Sequence, residues 1–339
     1  SDAWLSVLDK TLMILVCGAM LLFPLSFGIL TISRFVWLQA ACLALSVIVA
    51  LIILMLKGFR FPHPFPLFID KSLFKTALPY ALIILLMSVH YRIDGFLVER
   101  MHAEGPKEAG MYASAYRLLD AANMVGFLFS SFLLPYAARQ FSSRKDITSV
   151  VLTSRHLLIL YSLGISLSGI FLGNWIHAML YRDSGPEAAR ILQWCLPALL
   201  GYSLVNIYGT VMTATGHIRP FCYITLVAVI LNIALNLLLI PSMGAMGCCI
   251  AALVSQSLCG IAVMVYVKKK IFISFDFPAW GIYIYTAVLL GILFYFGSSL
   301  ALNNWFLITA GMLLVFAVIY LSRLLGPTEL NQLFRKPQL

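Results

Sequence analysis

The sequence predicts an all-α, polytopic membrane protein of about ten transmembrane helices. Three observations carry that reading. Of 339 residues, 62% are hydrophobic and 11% charged, with a mean hydropathy of +0.97, a balance unlike that of a soluble domain. Long apolar stretches recur along the whole chain, each near the roughly 20 residues that a hydrocarbon core of about 30 Å requires. The short loops between them are alternately rich and poor in Lys and Arg.

Taken in order, the apolar stretches place spans near 11–30, 36–56, 74–98, 109–135 and 156–178, then 191–213, 219–240, 245–267, 279–298 and 304–322. Backbone groups inside a bilayer must be paired within their own segment, so each span is expected to be helical. Trp4, Trp37, Trp175, Trp194, Trp280 and Trp305 all fall near predicted span ends, where an amphipathic ring prefers the headgroup zone. Pro79, Pro135 and Pro197 lie within spans and are expected to weaken or kink their helices.

Lys and Arg resist translocation and accumulate on the cytoplasmic side. One set of loops holds 16 of them: Lys10, Lys57, Arg60, Lys71, Lys75, Arg139, Arg144, Lys145, Arg155, Arg219, Lys268, Lys269, Lys270, Arg323, Arg335 and Lys336. The other holds five, Arg34, Arg100, Lys107, Arg182 and Arg190. Both termini of the chain are therefore expected in the cytoplasm. The run Lys268–Lys270 reads as part of this signal, with lipid recognition the alternative. The formal charge of +10 is spread over juxtamembrane loops, which fits membrane lipids as partners and not nucleic acid.

Nothing in the chain points to an enzyme. Cys17, Cys42, Cys195, Cys222, Cys248, Cys249 and Cys259 have no metal-type or paired spacing and read as packing residues. The six histidines form no metal-binding motif, and no phosphate loop or nucleophile elbow occurs. No catalytic residue, metal site or cofactor is expected.

The informative residues are charges inside spans. Arg92 and Asp94 lie in the third, Arg117 and Asp120 in the fourth, where a charge at mid-depth costs about 2.5–3.5 kcal/mol. At roughly 100° per residue Arg92 and Asp94 project about 200° apart and cannot pair well with each other. Asp94 shares a face with His90 and Tyr91, while Arg117 and Asp120 are three apart and can meet. Tyr112, Tyr116, Asp120 and Asn123 continue a polar, aromatic stripe. On the functional reading the two helices line a wet cavity. Arg92 and Arg117 would bind an anionic group, Tyr91, Tyr112, Tyr116 and Asn123 would contact sugar, and Asp94 or Asp120 would tune the arginines or take up a cation. On the structural reading the charges sit near span ends, reach the interface and form ion pairs. Asn232 and Asn236, four apart on one face, and Asn206 with Tyr208 read first as amides and hydroxyls bonding between helices.

Two stretches then carry a resemblance. YRIDGFLVERMHAEGPKEAGMYASAYRLLDAANMVGFLFSSFLLPYAARQF, residues 91–141, resembles the seventh and eighth helices of polysaccharide flippases, with its intramembrane Asp, short loop and later Pro. YGTVMTATGHIRPFCYITLVAVILNIALNLLLIPSMGAMGCCIAALVSQSLCG, residues 208–260, is similar to their tenth to twelfth helices. The resemblance is to Wzx-type O-antigen flippases of the multidrug/oligosaccharidyl-lipid/polysaccharide (MOP) exporter superfamily.

That resemblance implies a MATE/MOP-like fold of two six-helix lobes that rock about a central cavity, with this chain lacking about four N-terminal helices. Residues 1–57 would be two helices from the end of an incomplete N-terminal lobe, 58–73 a cytoplasmic linker, and 74–267 the complete C-terminal lobe. Residues 268–339 would add two helices and a tail. It also implies a cargo, undecaprenyl-pyrophosphate-linked oligosaccharide repeat units crossing the bacterial inner membrane for O-antigen or capsule assembly. Polysaccharide polymerase and ligase proteins would be partners. Arg92 and Arg117 would hold the headgroup, with Asp94 and Asp120 as coupling or ion-pair carboxylates. The alternative is a MATE-type cation-coupled drug or metabolite antiporter. A pathway enzyme would be expected to carry a sizeable periplasmic loop, which the outward loops of about ten residues do not supply.

Overall fold

The computed structural model describes residues 15–16, 31–56, 71–144, 146–181, 185–271 and 277–322. Among them all regular structure is helical, with no strand. Nine of the described helices are long and apolar enough to cross a bilayer: α1 Ile32–Leu56, α2 Lys71–Met101, α3 Gly105–Ser142, α4 Thr148–Leu180, α5 Pro186–Ala214, α6 Ile218–Met243, α7 Ala245–Ile271, α8 Phe277–Ser299 and α9 Asn304–Leu321. The expected span at 11–30 lies, apart from residues 15–16, outside the described residues, and the other nine each have a helix.

The chain divides into Ser1–Lys71 and Ser72–Leu339. The first unit contributes α1. In the second, α6 and α7 pack as a hairpin, α7 lies along α5, and α4 carries α5 on one side and both α8 and α9 on another. The last two helices thus belong to the same compact unit as α2–α7.

Small residues set the closest approaches, as expected where lipid removes most of the hydrophobic drive between helices. Gly201 of α5 lies so near α7 that a Cβ there would stand 2.6 Å from the backbone of Gln256 and Ser257. Gly260 returns the contact, with Leu204 and the Gly201 carbonyl in the space of its missing side chain. The α6–α7 turn is made at Gly244, whose φ of +55° favours glycine. There the Glu108 carboxylate accepts from the Ala245 N–H at 2.7 Å, placing a negative charge at the start of α7 where the helix dipole favours it.

Three expectations are refined. Helices α3 and α4 extend beyond 109–135 and 156–178, to 38 and 33 residues. Pro106 starts α3 in its first turn, where its missing N–H costs nothing. Pro79 and Pro135 sit inside continuous helices, whereas Pro197 lies in a 3₁₀ turn, Leu196–Ala198, that interrupts α5. A π turn follows at Val205–Gly209, a feature that often marks functional sites.

Arg155, assigned above to a loop, is instead fully buried in α4. Its Nε donates to the Tyr283 hydroxyl at 3.2 Å, and its guanidinium stands 6.0 Å from the Trp280 ring, so it drops out of the loop-charge asymmetry. Asp146, just before α4, accepts from the Thr148 hydroxyl at 2.6 Å and its N–H at 2.9 Å. These bonds hold its carboxyl below the usual range, so this support for the helix start is present above the ordinary carboxylate pKa and is lost as pH falls.

Candidate functional site

The intramembrane charges separate into an exposed group and a buried one, because successive faces of α2 turn outward and inward. Arg92 points out, its side chain 69% exposed, and donates from Nη2 to Asp120 of α3 at 2.9 Å, with Asp120 35% exposed. Its guanidinium lies over the Tyr116 ring at 5.4 Å, which adds cation–π attraction. Arg117 is exposed and makes no ion pair with a described residue. The i,i+3 pairing of Arg117 with Asp120 is therefore replaced by a bridge between helices: α2 passes on the side of Asp120 that Arg117 does not occupy.

This exposed group is not at a helix end. Glu99 and Arg100 mark where α2 becomes ionic. Arg92 lies seven residues before Glu99, about 10 Å deeper at 1.5 Å per residue. Its outward neighbours along α2 include Leu85 and Phe96, and Met124 follows Arg117 on the exposed stripe of α3. An ion pair and a second guanidinium on such a surface need water or protein beside them, since hydrocarbon solvates neither.

Asp94 points the other way and is 1% exposed. Both of its oxygens accept: one from the Tyr112 hydroxyl at 3.0 Å, the other from Asn236 Nδ2 at 2.8 Å. Asn236 Nδ2 also approaches Asn232 Oδ1 at 3.2 Å, and Asn232 Nδ2 donates to Ser255 Oγ at 3.3 Å. Ser255 Oγ lies 3.0 Å from His90 Nε2. A continuous chain of polar side chains, His90, Ser255, Asn232, Asn236, Asp94 and Tyr112, so joins α2, α3, α6 and α7 inside the lobe. Asn236 Oδ1 is buried with no hydrogen-bond partner among the described residues, an orphan acceptor beside the carboxylate.

The stripe of Tyr112, Tyr116 and Asn123 is real, but it faces inward. All three are buried, so their rings and amide are not presented to a sugar as expected. Tyr112 is spent on Asp94, the Tyr116 hydroxyl lies 3.4 Å from that of Tyr202, and Asn123 accepts from Asn206 Nδ2 at 2.9 Å. Tyr91 is partly buried, its ring 5.0 Å from Tyr202 and its hydroxyl buried without a partner among the described residues. The tyrosines instead form a layer between the two groups. Arg92 rests on Tyr116, Tyr116 packs on Tyr112 at 5.5 Å, and Tyr112 bonds Asp94.

Tyr202, Ser255 and the π-turn residue Asn206 are members that sequence reasoning passes over or assigns to packing. Ser255 sits in α7 with no local signal of its own. The Asn206 carbonyl, in the π turn, accepts from Ser130 Oγ at 2.9 Å and from Thr210 Oγ1. No group of three or more His, Cys, Asp or Glu suited to a metal occurs among the described residues.

Residues 79–238 match the MatE family model. The matched stretch runs from Pro79 in α2 to Leu238 in α6, and so contains Arg92, Arg117 and Asp120 and all of the buried chain except Ser255. MatE members are membrane transporters of the MOP superfamily and not enzymes; the match and the nine apolar helices together make this chain an all-helical, multi-pass membrane protein, consistent with a MATE/MOP-like fold. No curated protein matches the chain.

Proposed function

We propose that this protein is a MOP-superfamily transporter of the polysaccharide-flippase type, moving undecaprenyl-pyrophosphate-linked oligosaccharide across the bacterial inner membrane. The observation that carries this reading is the exposed Arg92–Asp120 pair with Arg117 beside it, two turns inside the span. Two guanidiniums against one carboxylate leave net positive charge, which suits a pyrophosphate better than an organic cation. Arginine also supplies the planar fork that binds phosphate oxygens in pairs. The polar headgroup exchanges water for these donors while its polyprenyl tail stays in the bilayer, and no bond is made or broken. Polymerase and ligase proteins of the same pathway would take up the product, and the chain's termini would lie in the cytoplasm.

Asp94 is the coupling carboxylate on this reading. A lone buried carboxylate flanked by amide oxygens and a hydroxyl offers hard oxygen donors, suited to a proton or an alkali cation and not to a transition metal. Asp94, Asn236 Oδ1, Asn232 Oδ1 and Ser255 Oγ would hold it. Uptake there would pull on Tyr112 and, through Tyr116, on the seat of Arg92. Any such coupling is a difference in ion affinity between two conformations.

The alternative, a MATE-type drug or metabolite antiporter, shares Asp94 but has no need of the two arginines. Arg92→Ala and Arg117→Ala are each expected to lower surface polysaccharide about tenfold or more, as loss of a charged hydrogen bond implies, at unchanged protein level in the membrane. Unaltered polysaccharide in the double variant, with resistance to organic cations lost in Asp94→Asn, would transfer the assignment to the antiporter.

A further inference from the structure

The lobe also carries a groove that none of the charged residues of α2 and α3 lines. It lies between α5, α7 and the start of α8, has a volume of about 370 Å³, and is lined by Leu200, Gly201, Leu204, Ser257, Ile261, Met264 and Trp280. Its walls follow from the packing described above. Gly201 lets α5 and α7 touch backbone to backbone, and the groove opens beside that contact. Trp280 of α8 is part of the wall, its ring edge-on to Tyr283 at 5.6 Å and 6.0 Å from the Arg155 guanidinium.

On α7 the lining residues Ser257, Ile261 and Met264 form one helical stripe at intervals of four and three. The next position on that stripe is Lys268, in the last turn with Lys269 and Lys270, all three exposed. From Ser257 to Lys268 is eleven residues, about 16 Å along the helix. One leaflet of a 30 Å hydrocarbon core is about 15 Å deep. The lined part of that stripe, Ser257 to Met264, is about 10 Å long, room for part of an acyl chain, and the ammonium groups of Lys268–Lys270 follow one turn beyond it.

We infer that this groove is a binding site for an anionic phospholipid, with one acyl chain along α5 and α7 and the phosphate at Lys268–Lys270. Charge, and its place on the same stripe of α7, argue for this occupant. An apolar helix from a second copy would fill the hollow but gain nothing from three lysines at its mouth, and a soluble phosphate compound would leave the apolar walls in water. The lysines would then recognise a headgroup as well as orient the chain.

The site can be tested on the purified full chain by native mass spectrometry after equilibration with phosphatidylglycerol or phosphatidylcholine. The chain is expected to retain one phosphatidylglycerol in preference to phosphatidylcholine. Ile261→Trp, which fills the hollow from an exposed position, should remove retention of both. Lys268→Gln should weaken phosphatidylglycerol alone by about fivefold, the value of one juxtamembrane charge. Equal retention by wild type and Ile261→Trp would overturn the proposal, as would displacement by soluble glycerol phosphate or an occupied groove only in dimers. Unchanged melting of Ile261→Trp excludes misfolding as the cause of loss.

Discussion

Asp94→Asn is expected to leave the protein folded and in the membrane while transport falls to background, and Asp94→Ala to lose both. The carboxylate is enclosed on every side, accepting from Tyr112 and Asn236. Asn matches its volume and keeps an oxygen toward one donor, so the lobe retains its packing, but the negative charge that an ion or proton would meet is gone. Ala instead strands the buried Tyr112 hydroxyl, at about 1–3 kcal/mol, and opens a hole where α2, α3 and α6 meet. The pair is read by thermal melting of detergent-solubilised protein and by surface polysaccharide in cells. Full transport by Asp94→Asn would remove Asp94 from the coupling role and leave it a structural acceptor.

Gly201→Ala should produce a large loss of stability from a single methyl group. The added carbon would stand 2.6 Å from backbone atoms of Gln256 and Ser257, which have no rotamer to move away on, so α5 must separate from α7. Overpacking of this kind costs about 1–3 kcal/mol or more. For a chain of this size the upper end corresponds to a drop of about 4 °C in apparent Tm. Gly281→Ala is the matched control. It sits in α8, where an added methyl carbon would meet nothing within 4 Å, and removing a helix glycine there should hold or raise Tm. Equal melting of the two variants would mean that α5 and α7 are not in backbone contact.

The spans were legible because hydropathy and length are local properties. Nine of the ten have a described helix, and the extended ends of α3 and α4 differ because amphipathic turns continue past the apolar run. The opposite directions of Arg92 and Asp94 were also legible, since they follow from 100° per residue alone. What each meets was not. Asp120 took Arg92 from α2 in place of Arg117 on its own helix, a choice set by which faces pack. The stripe of Tyr112, Tyr116 and Asn123 was visible as a stripe, yet a single helix carries no mark of whether such a face looks toward the lobe interior or away. Tyr202 meets Tyr116 across 86 residues of sequence, and Ser255 meets His90 across 165, separations that no local pattern spans. Arg155 was misplaced for the opposite reason: a charge flanking an apolar run reads as a loop until Tyr283 and Trp280 are seen to cover it.

Headgroup transport by this route requires that Arg92 and Arg117 face water within the membrane span. Cysteine placed at each position, and at Leu238 and Phe316 on exposed surfaces of α6 and α9, can be challenged in intact cells with a charged, membrane-impermeant thiosulfonate. The native background is favourable, because the six described thiols are free and buried. Rapid labelling at 92 and 117, slowed by undecaprenyl pyrophosphate, with none at 238 and 316, is the predicted result. Labelling at 92 and 117 only by lipid-soluble maleimides, as at 238 and 316, would contradict it.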